Sequence, residues 1–312
     1  MQDINEFVWA EKYRPRRIEY CILPQNLQNT FQTFIDNGSF PNLLLSGTAG
    51  VGKTTVARAL LEELGYDYII INGSMNGNID TLRTEIKNFA STVSFTGGRK
   101  YVILDEADYL NPQSTQPALR NFMEEYSSNC GFILTCNYLN KIIEPLRSRC
   151  SLVEFKIAKN EASHLAGKFF KRCAGILETE GVKYNKETVA AVITKYYPDW
   201  RRVLNELQRY SITGDINSGI LTNRSVDSKT IIDLLKKKNF ESIRTFVGEN
   251  IDSLPSVYEF LYHELHDQCK PNSIPDLILI LAKYQYQSSF VASQEINIAA
   301  CLSELMVNLE FR

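Results

Sequence analysis

The chain has seven cysteines but no Cys-x-x-Cys pair. Cys21, Cys130, Cys136, Cys150, Cys173, Cys269 and Cys301 are scattered and odd in number. That usage excludes a zinc knuckle and a paired disulfide framework, and it is the usage of a reduced, cytoplasmic protein. An excess of positive charge is also missing. Lys and Arg number 34 against 36 Asp and Glu, for a net charge of −2. This excludes a surface coated for non-specific nucleic-acid binding and leaves room for a local basic face. Long apolar runs are absent. The longest, such as Leu277 to Ala282, fall far short of the ~20 residues that a spanning helix needs. Met1 leads into Asp3 and Glu6 rather than into a signal peptide, so no membrane contact is expected. No internal repeat or low-complexity tract interrupts the chain.

What is present has the composition of an ordinary globular protein, 44% hydrophobic and 22% charged. A length of 312 residues exceeds what one core usually holds, so two or three domains are expected. The residues from Gly47 through Thr48, Ala49, Gly50, Val51, Gly52 and Lys53 to Thr54 form a complete G-x-x-x-x-G-K-[ST] phosphate loop. Leu43 to Leu45 before it read as a buried strand. Thr55 to Leu64 after it read as a helix with Val56, Leu60 and Leu64 on one face. Backbone N–H groups from Gly50 to Thr55 can turn around a polyphosphate, with the positive end of the helix dipole aimed at the same place. Lys53 reaches the outer phosphates in such loops, and the Thr54 hydroxyl ligates Mg²⁺.

Residues 1–42 form an extension punctuated by Pro15 and Pro24, where extended segments and turns are predicted, followed by a helix over Asn26 to Asn37. Strand patterns then recur at Leu43–Ser46, Tyr68–Ile71, Tyr101–Leu104, Phe132–Thr135 and Leu152–Phe155, with helical patterns between them. Such alternation implies an α/β fold with a parallel sheet and helices on both faces. Past Lys156 the strand signals stop. Helices are predicted at Asn160–Glu180, Lys186–Tyr196 and Trp200–Ser211, a polar linker at Gly214–Arg224, and further helices beyond Asp227 broken near Pro255 and Pro271. Domain boundaries follow at 1–157, 158–222 and 223–312.

A second chemical motif ends the third strand. Asp105 suits a metal-coordinating carboxylate and Glu106 a base that polarises water for in-line attack on a γ-phosphate. Asn137 ends the fourth strand, where it either senses the γ-phosphate or simply forms a turn. Arg147 and Arg149 stand at a helix end, where arginines commonly cap carbonyls or face solvent. Asp199 suits an N-cap, with Arg201 one turn into the following helix.

The order of these motifs resembles the clamp-loader AAA+ ATPases of the replication factor C small-subunit type. Glu11 to Pro15, the phosphate loop, Leu104 to Asp108, Ala118 to Arg120, Met123-Glu124, Asn137, Ser148 to Cys150 and the Arg201-Arg202-x-Leu-Asn run carry it. Cys21 to Pro24, Asn121 to Glu124 and Tyr126 to Cys130 narrow the resemblance to the ATPase subunit of T-even-type phage clamp loaders. It covers residues 6 to 211 with specific motifs and continues more loosely to the C-terminus. The resemblance implies an AAA+ P-loop domain, a small helical lid domain and an all-α C-terminal collar that joins subunits in a ring. It makes Arg149 an arginine finger acting in trans, Asn137 the first sensor and Arg201 a second sensor of the γ-phosphate, with Tyr13, Arg14, Ile22 and Leu23 against the adenosine.

The implied cofactors are ATP and Mg²⁺. The implied partners are a sliding clamp, primer–template DNA, and other ATPase copies with a non-ATPase accessory subunit in a five-subunit assembly, with a DNA polymerase holoenzyme met indirectly. The implied compartment is a phage-infected bacterial cytoplasm. Two other classes stand beside this one. A AAA+ remodelling motor such as a helicase should carry a translocating hairpin or winged helix, which the helical C-terminus disfavours. A catalytically inactive scaffold subunit is disfavoured by intact Lys53, Thr54, Asp105, Glu106 and Arg149.

Two departures from the family pattern stand out. Ser74 to Asp80 lacks the basic residue that many relatives carry there, and Pro117 falls inside the helix predicted over Gln113–Glu125, where it would remove a hydrogen bond and bend the axis. For DNA, the candidates are Arg83 and Arg120 with Gly77 and Asn78 as backbone or amide donors. For the clamp, they are Val93 and Phe95. If Arg83 contacts a phosphate, Arg83→Ala in the full assembly lowers the slope of log affinity against log salt by about one per subunit site. An unchanged slope removes it from the DNA surface.

Overall fold

The structure is a computed structural model. It describes residues 7–75, 79–92, 94, 98–214, 216, 228–250, 257–266, 268–288 and 290–311. The chain divides into two compact units, residues 1–218 and 219–312. In the first unit, β1 (Leu43–Ser46), β2 (Tyr68–Asn72), β3 (Lys100–Asp105), β4 (Cys130–Cys136) and β5 (Ser151–Glu154) form one parallel sheet in the order β2-β3-β4-β1-β5. The strands lie within two residues of the sequence expectation at each end.

Strand side chains alternate between two buried faces, which is why these strands read as continuous apolar runs. Leu43, Leu45, Tyr101, Ile103, Ile133 and Val153 pack on one face against α2 (Gln25–Asp36) and α3 (Lys53–Leu64), through Phe31, Val56 and Leu60. Leu44, Val102, Leu104, Phe132 and Leu134 pack on the other against α4 (Ile79–Ala90), α5 (Thr115–Glu125) and α6 (Glu144–Arg147), through Leu82, Ile86, Leu119 and Leu146. A fully buried amide ties this second layer together. Gln116 Nε2 donates to the carbonyls of Leu110 and Lys141, each at 3.0 Å, and its Oε1 accepts from the Ile143 amide at 2.9 Å.

Helices α7 (Lys159–Thr179), α8 (Lys186–Tyr196) and α9 (Trp200–Thr213) follow the sheet. Asn185 and Asp199 cap α8 and α9 with side-chain acceptors, as the Asp199 pattern predicts for α9. The N-terminal extension departs from expectation by forming a one-turn helix, α1 (Trp9–Lys12), which packs on α9. Its amide at Trp9 donates to Gln208 Oε1 at 2.9 Å, and the buried indole anchors the turn.

Three other expectations are corrected. Helix α5 starts at Thr115, so Pro117 occupies its first turn, where its missing N–H has no intrahelical partner to lose. Arg201 is the second residue of α9 rather than a turn inside it. Ile216, expected in the linker, is buried and exchanges backbone bonds with Lys183 and Asn185. Residue 215 and residues 217–227 lie outside the described residues, as do Pro255, Gly77, Asn78, Val93 and Phe95.

The second unit carries α-helices at Ser228–Lys237, Phe240–Asn250, Val257–His266, Ile274–Ser288 and Gln294–Asn308. Its core gathers Leu235, Val247, Leu261, Leu265, Leu277, Leu302 and Leu305. The buried Asn297 amide is satisfied by the Tyr258 hydroxyl at 2.7 Å and the Tyr284 carbonyl at 3.0 Å. All seven cysteines are free thiols.

Ile103 is fully buried at the centre of the sheet. Ile103→Ala should cost about 2–5 kcal/mol, read as a lower denaturation midpoint of the first unit. A loss below about 1 kcal/mol would contradict the packing described.

Candidate active site

The strand order puts β1 between β4 and β5 and β3 next to β4, so the C-terminal ends of β1, β3 and β4 lie side by side. Open α/β sheets bind ligands in the crevice at such a point. The crevice here holds about 1050 Å³ of space, open to solvent. Its lining includes Tyr13, Arg14, Ile22, Leu23, the loop from Ala49 to Thr55, Asp105, Glu106, Asn137 and Arg201. These are the nucleotide-site residues the sequence singles out, and they converge from six separate segments.

Lys53 opens α3 and is almost fully buried. Its ammonium donates to the carbonyls of Gly47 at 2.7 Å and Thr48 at 2.8 Å, and to Asn137 Oδ1 at 2.9 Å. Burial pushes the Lys53 ammonium below its ordinary value, while the Cys136 thiol and the Asp105 and Asp108 carboxylates act in the opposite direction. The Thr54 hydroxyl donates to Asp105 Oδ1 at 2.6 Å. A hydroxyl and a carboxylate oxygen thus meet beside the loop. Such hard oxygens suit Mg²⁺, which commonly takes one or two protein ligands and completes its shell with phosphate and water. Among the described residues no cluster of three His, Cys, Asp or Glu side chains forms a separate metal cage.

Thr135 and Asp108, to which sequence reasoning gave no role, and Asp199, read only as a helix cap, organise this centre. The Thr135 hydroxyl donates to Asp105 Oδ1 at 2.7 Å and accepts from the Glu106 amide at 3.0 Å. Asp108, buried, accepts from the amides of Asn137 and Tyr138 at 3.2 Å each, so a carboxylate fixes the turn that presents Asn137. Asp199 packs on the phosphate loop. The only signal for Thr135 was a hydroxyl in an apolar strand two residues before Asn137, which places both on one side of the strand.

Glu106 has left-handed backbone angles, φ 56° and ψ 46°. For a residue other than glycine this costs on the order of 1–3 kcal/mol, a strain that clusters at functional sites. The neighbouring Gly73 is required by close approach, because a Cβ there would lie 2.6 Å from the Glu106 carbonyl oxygen.

The start of α9 touches the loop directly. Trp200 N donates to the Gly50 carbonyl at 3.2 Å. Gly50 has φ 74°, and a Cβ on it would lie 1.8 Å from Asp199 Oδ1, so both conformation and space demand glycine. On the other wall, Arg172 from α7 donates to the carbonyls of Tyr20 and Tyr13. Arg14 donates to Thr55 Oγ1 at 3.1 Å and pairs with Glu11. Burial works to raise the Glu11 carboxyl, but the Arg14 hydrogen bond and nearby cationic charge outweigh it and hold it below its ordinary value. Phe169, Trp200 and Leu204 add an apolar wall on the lid side.

Arg149 is not among the residues lining this crevice. It follows α6, donates to the Pro145 carbonyl at 2.8 Å and pairs with Glu124. Arg83 is exposed on α4, and Arg120 is half-buried on α5 with its guanidinium on Asn121.

Residues 43–158 match the family model described as "ATPase family associated with various cellular activities (AAA)". Fold and site together make the chain an AAA ATP hydrolase. Residues 161–222 match the "Sliding-clamp-loader large subunit, AAA+ ATPase lid domain". The chain is 33% identical over 314 residues to the sliding-clamp-loader large subunit of Enterobacteria phage T4, covering 99% of this chain and 98% of that relative. It is 39% identical over 238 residues to the replication factor C small subunit of Methanocella arvoryzae, covering 73% and 72%. It belongs to the sliding-clamp-loader family of AAA+ ATPases. A mutant of RuvB from Thermotoga maritima shares the fold, with a TM-score of 0.55 at 18% identity over 80% of this chain and 91% of that one.

Thr135→Val removes the hydroxyl that holds both Asp105 and Glu106 while keeping the side chain's shape. Turnover of ATP should fall by roughly tenfold to a hundredfold, and Thr135→Ser should retain most of it. Steady-state hydrolysis at saturating ATP checks this. Equal turnover by the valine variant would show that Thr135 does not position the pair.

Proposed function

We propose that this chain is the ATP-hydrolysing subunit of a sliding-clamp loader in which each complete catalytic unit spans two neighbouring copies. The observation that carries the reading is the separation of two groups. The nucleotide crevice gathers Lys53, Thr54, Asp105, Glu106, Asn137 and Arg201, whereas Arg149 stands outside it on the segment after α6.

Lys53 holds the outer phosphates, and Asn137, which already accepts from Lys53, orients the attacking water or the γ-phosphate. Glu106 takes the proton as that water attacks the γ-phosphorus. The bond from the γ-phosphorus to the bridging oxygen breaks, and ADP and phosphate leave. Thr54 and Asp105 would hold Mg²⁺, which when bound would supply positive charge against the phosphate oxygens. Arg201 on the lid meets the γ-phosphate from the opposite side. Tyr13, Arg14, Ile22 and Leu23 bound the nucleoside end of the crevice.

The names of the relatives support a sliding clamp as a partner, and the remaining parts of the reading extend the resemblance carried by the motifs. The partners are a sliding clamp, primer–template DNA, further ATPase copies and an accessory subunit, five subunits in all, with a polymerase downstream. The domains divide at 1–157, 158–222 and 223–312, the last serving as the oligomerising collar. DNA meets Arg83 and Arg120 with Gly77 and Asn78, and the clamp meets Val93 and Phe95. ATP binding favours clamp opening and the grip on DNA, and hydrolysis releases the clamp. The described residues contain no helix long and apolar enough to cross a membrane, and the compartment this reading assigns is the cytoplasm of an infected bacterium.

Arginines supplied by a neighbour raise the rates of other nucleotide hydrolases by roughly 10³–10⁵. Glu106→Gln should bind ATP without turning it over, and Arg149→Ala should bind ATP and silence the adjacent copy. In assemblies reconstituted from a mixture of the two, some interfaces pair an intact Glu106 with an intact Arg149. Clamp-stimulated hydrolysis should therefore appear at intermediate ratios and exceed both parents. No gain at any ratio, with assembly intact, would overturn the two-copy catalytic unit.

A further inference from the structure

Arg149 is a long, rotamer-rich side chain, and its own subunit holds it by two flanks. Its Nε donates to Glu124 Oε1 at 2.9 Å, and its Nη2 donates to the same oxygen. Its Nη1 donates to the Pro145 carbonyl at 2.8 Å. A guanidinium carries five N–H groups in a planar fork. Glu124 takes the side-on edge of that fork, and the Pro145 carbonyl takes one N–H of Nη1. Beyond these three bonds, one N–H on each of Nη1 and Nη2 remains to be offered to a ligand.

We propose that Glu124 is a positioning residue for the two-copy reaction: it orients the Arg149 guanidinium so that its two remaining N–H groups meet the γ-phosphate of ATP bound by the neighbouring copy. The proposal rests on the reading of Arg149 as acting in trans. Two N–H donors on one guanidinium can receive two phosphate oxygens at once. The frame that carries the pair is fixed. Glu124 lies in the last turn of α5, and Arg149 follows α6. The buried Gln116 amide pins α5 to the segment entering α6 through Lys141 and Ile143. The hydrogen bond from Arg149 is the chief cause holding the Glu124 carboxyl below its ordinary value.

Folding does not explain the pair. The two side chains are 34% and 55% exposed, and exposed ion pairs contribute little to stability. Its loss should register in turnover and not in melting.

The test measures clamp- and DNA-stimulated ATP hydrolysis by the assembled complex carrying Glu124→Gln, Arg149→Ala or both, with melting temperature and assembly followed in parallel. Glu124→Gln keeps shape and removes charge. It should lower kcat by at least about tenfold with little change in KM for ATP, since misplacement of a reacting group by about 1 Å costs on that scale. Melting and assembly should not change, and the double variant should match Arg149→Ala alone. If Glu124→Gln does not assemble, Glu124→Asp supplies the comparison, because it keeps the charge and withdraws the carboxylate by one methylene. Wild-type kcat in the Glu124 variant beside a silent Arg149→Ala overturns the proposal. So does a double variant well below Arg149→Ala, because Glu124 would then act through another group. Wild-type turnover by Arg149→Ala overturns the trans reading itself.

Discussion

One carboxylate oxygen holds the reacting end of the sheet together. Asp105 Oδ1 accepts from the Thr54 hydroxyl on α3 and from the Thr135 hydroxyl on β4 while Asp105 itself ends β3. Three segments far apart in sequence are thereby brought to a common point. Charge-assisted bonds of this kind in a partly buried setting are stronger than their neutral counterparts. The Thr135 hydroxyl then passes the constraint on by accepting from the Glu106 amide, so the left-handed backbone of Glu106 is held from a neighbouring strand. Lys53 and Asn137 join the same centre from the opposite side.

The lid is tied to this centre by backbone more than by side chains. The Gly50 carbonyl accepts from the first amide of α9, and Asp199 caps that helix while resting on Gly50. A change in the loop's shape on gripping a polyphosphate therefore bears directly on the start of the helix that carries Arg201. The N-terminal extension closes the other side. Trp9 and Phe7 meet Gln208 on α9, Tyr13 and Tyr20 meet Arg172 on α7, and Arg14 reaches Thr55 on α3. Loop, extension and lid are thus tied to one another beside the crevice.

Much of this was legible because its signals are local. A strand buried on both faces must be apolar along its length, and Leu43 to Leu45, Tyr101 to Leu104 and Phe132 to Leu134 satisfy that without reference to distant residues. Asp199 reads as a cap because an N-cap needs only its own side chain and the amides just ahead of it. Pro117 was misread for a related reason. Proline breaks a helix interior and suits its first turn, so its effect depends on a start position that the Asn111 side chain, accepting from the Gln113 and Ser114 amides, marks and the apolar period does not. Ile216 was misread because a lone backbone pairing with Lys183 and Asn185 leaves no periodic trace.

The sequence by itself determined the parallel α/β sheet, the phosphate loop, the acidic strand end and the family to which they belong, because each follows from residue type at fixed spacing along one segment. Only the tertiary structure decided which groups meet. That Thr135 joins Asp105 to Glu106, that Asp108 holds the Asn137 turn, that Gly50 makes room for Asp199, and that Glu124 grips Arg149 all depend on contacts between residues remote in the chain. Their energies come from the sheet order and from helix packing, and no pattern confined to one segment encodes a distance across the fold.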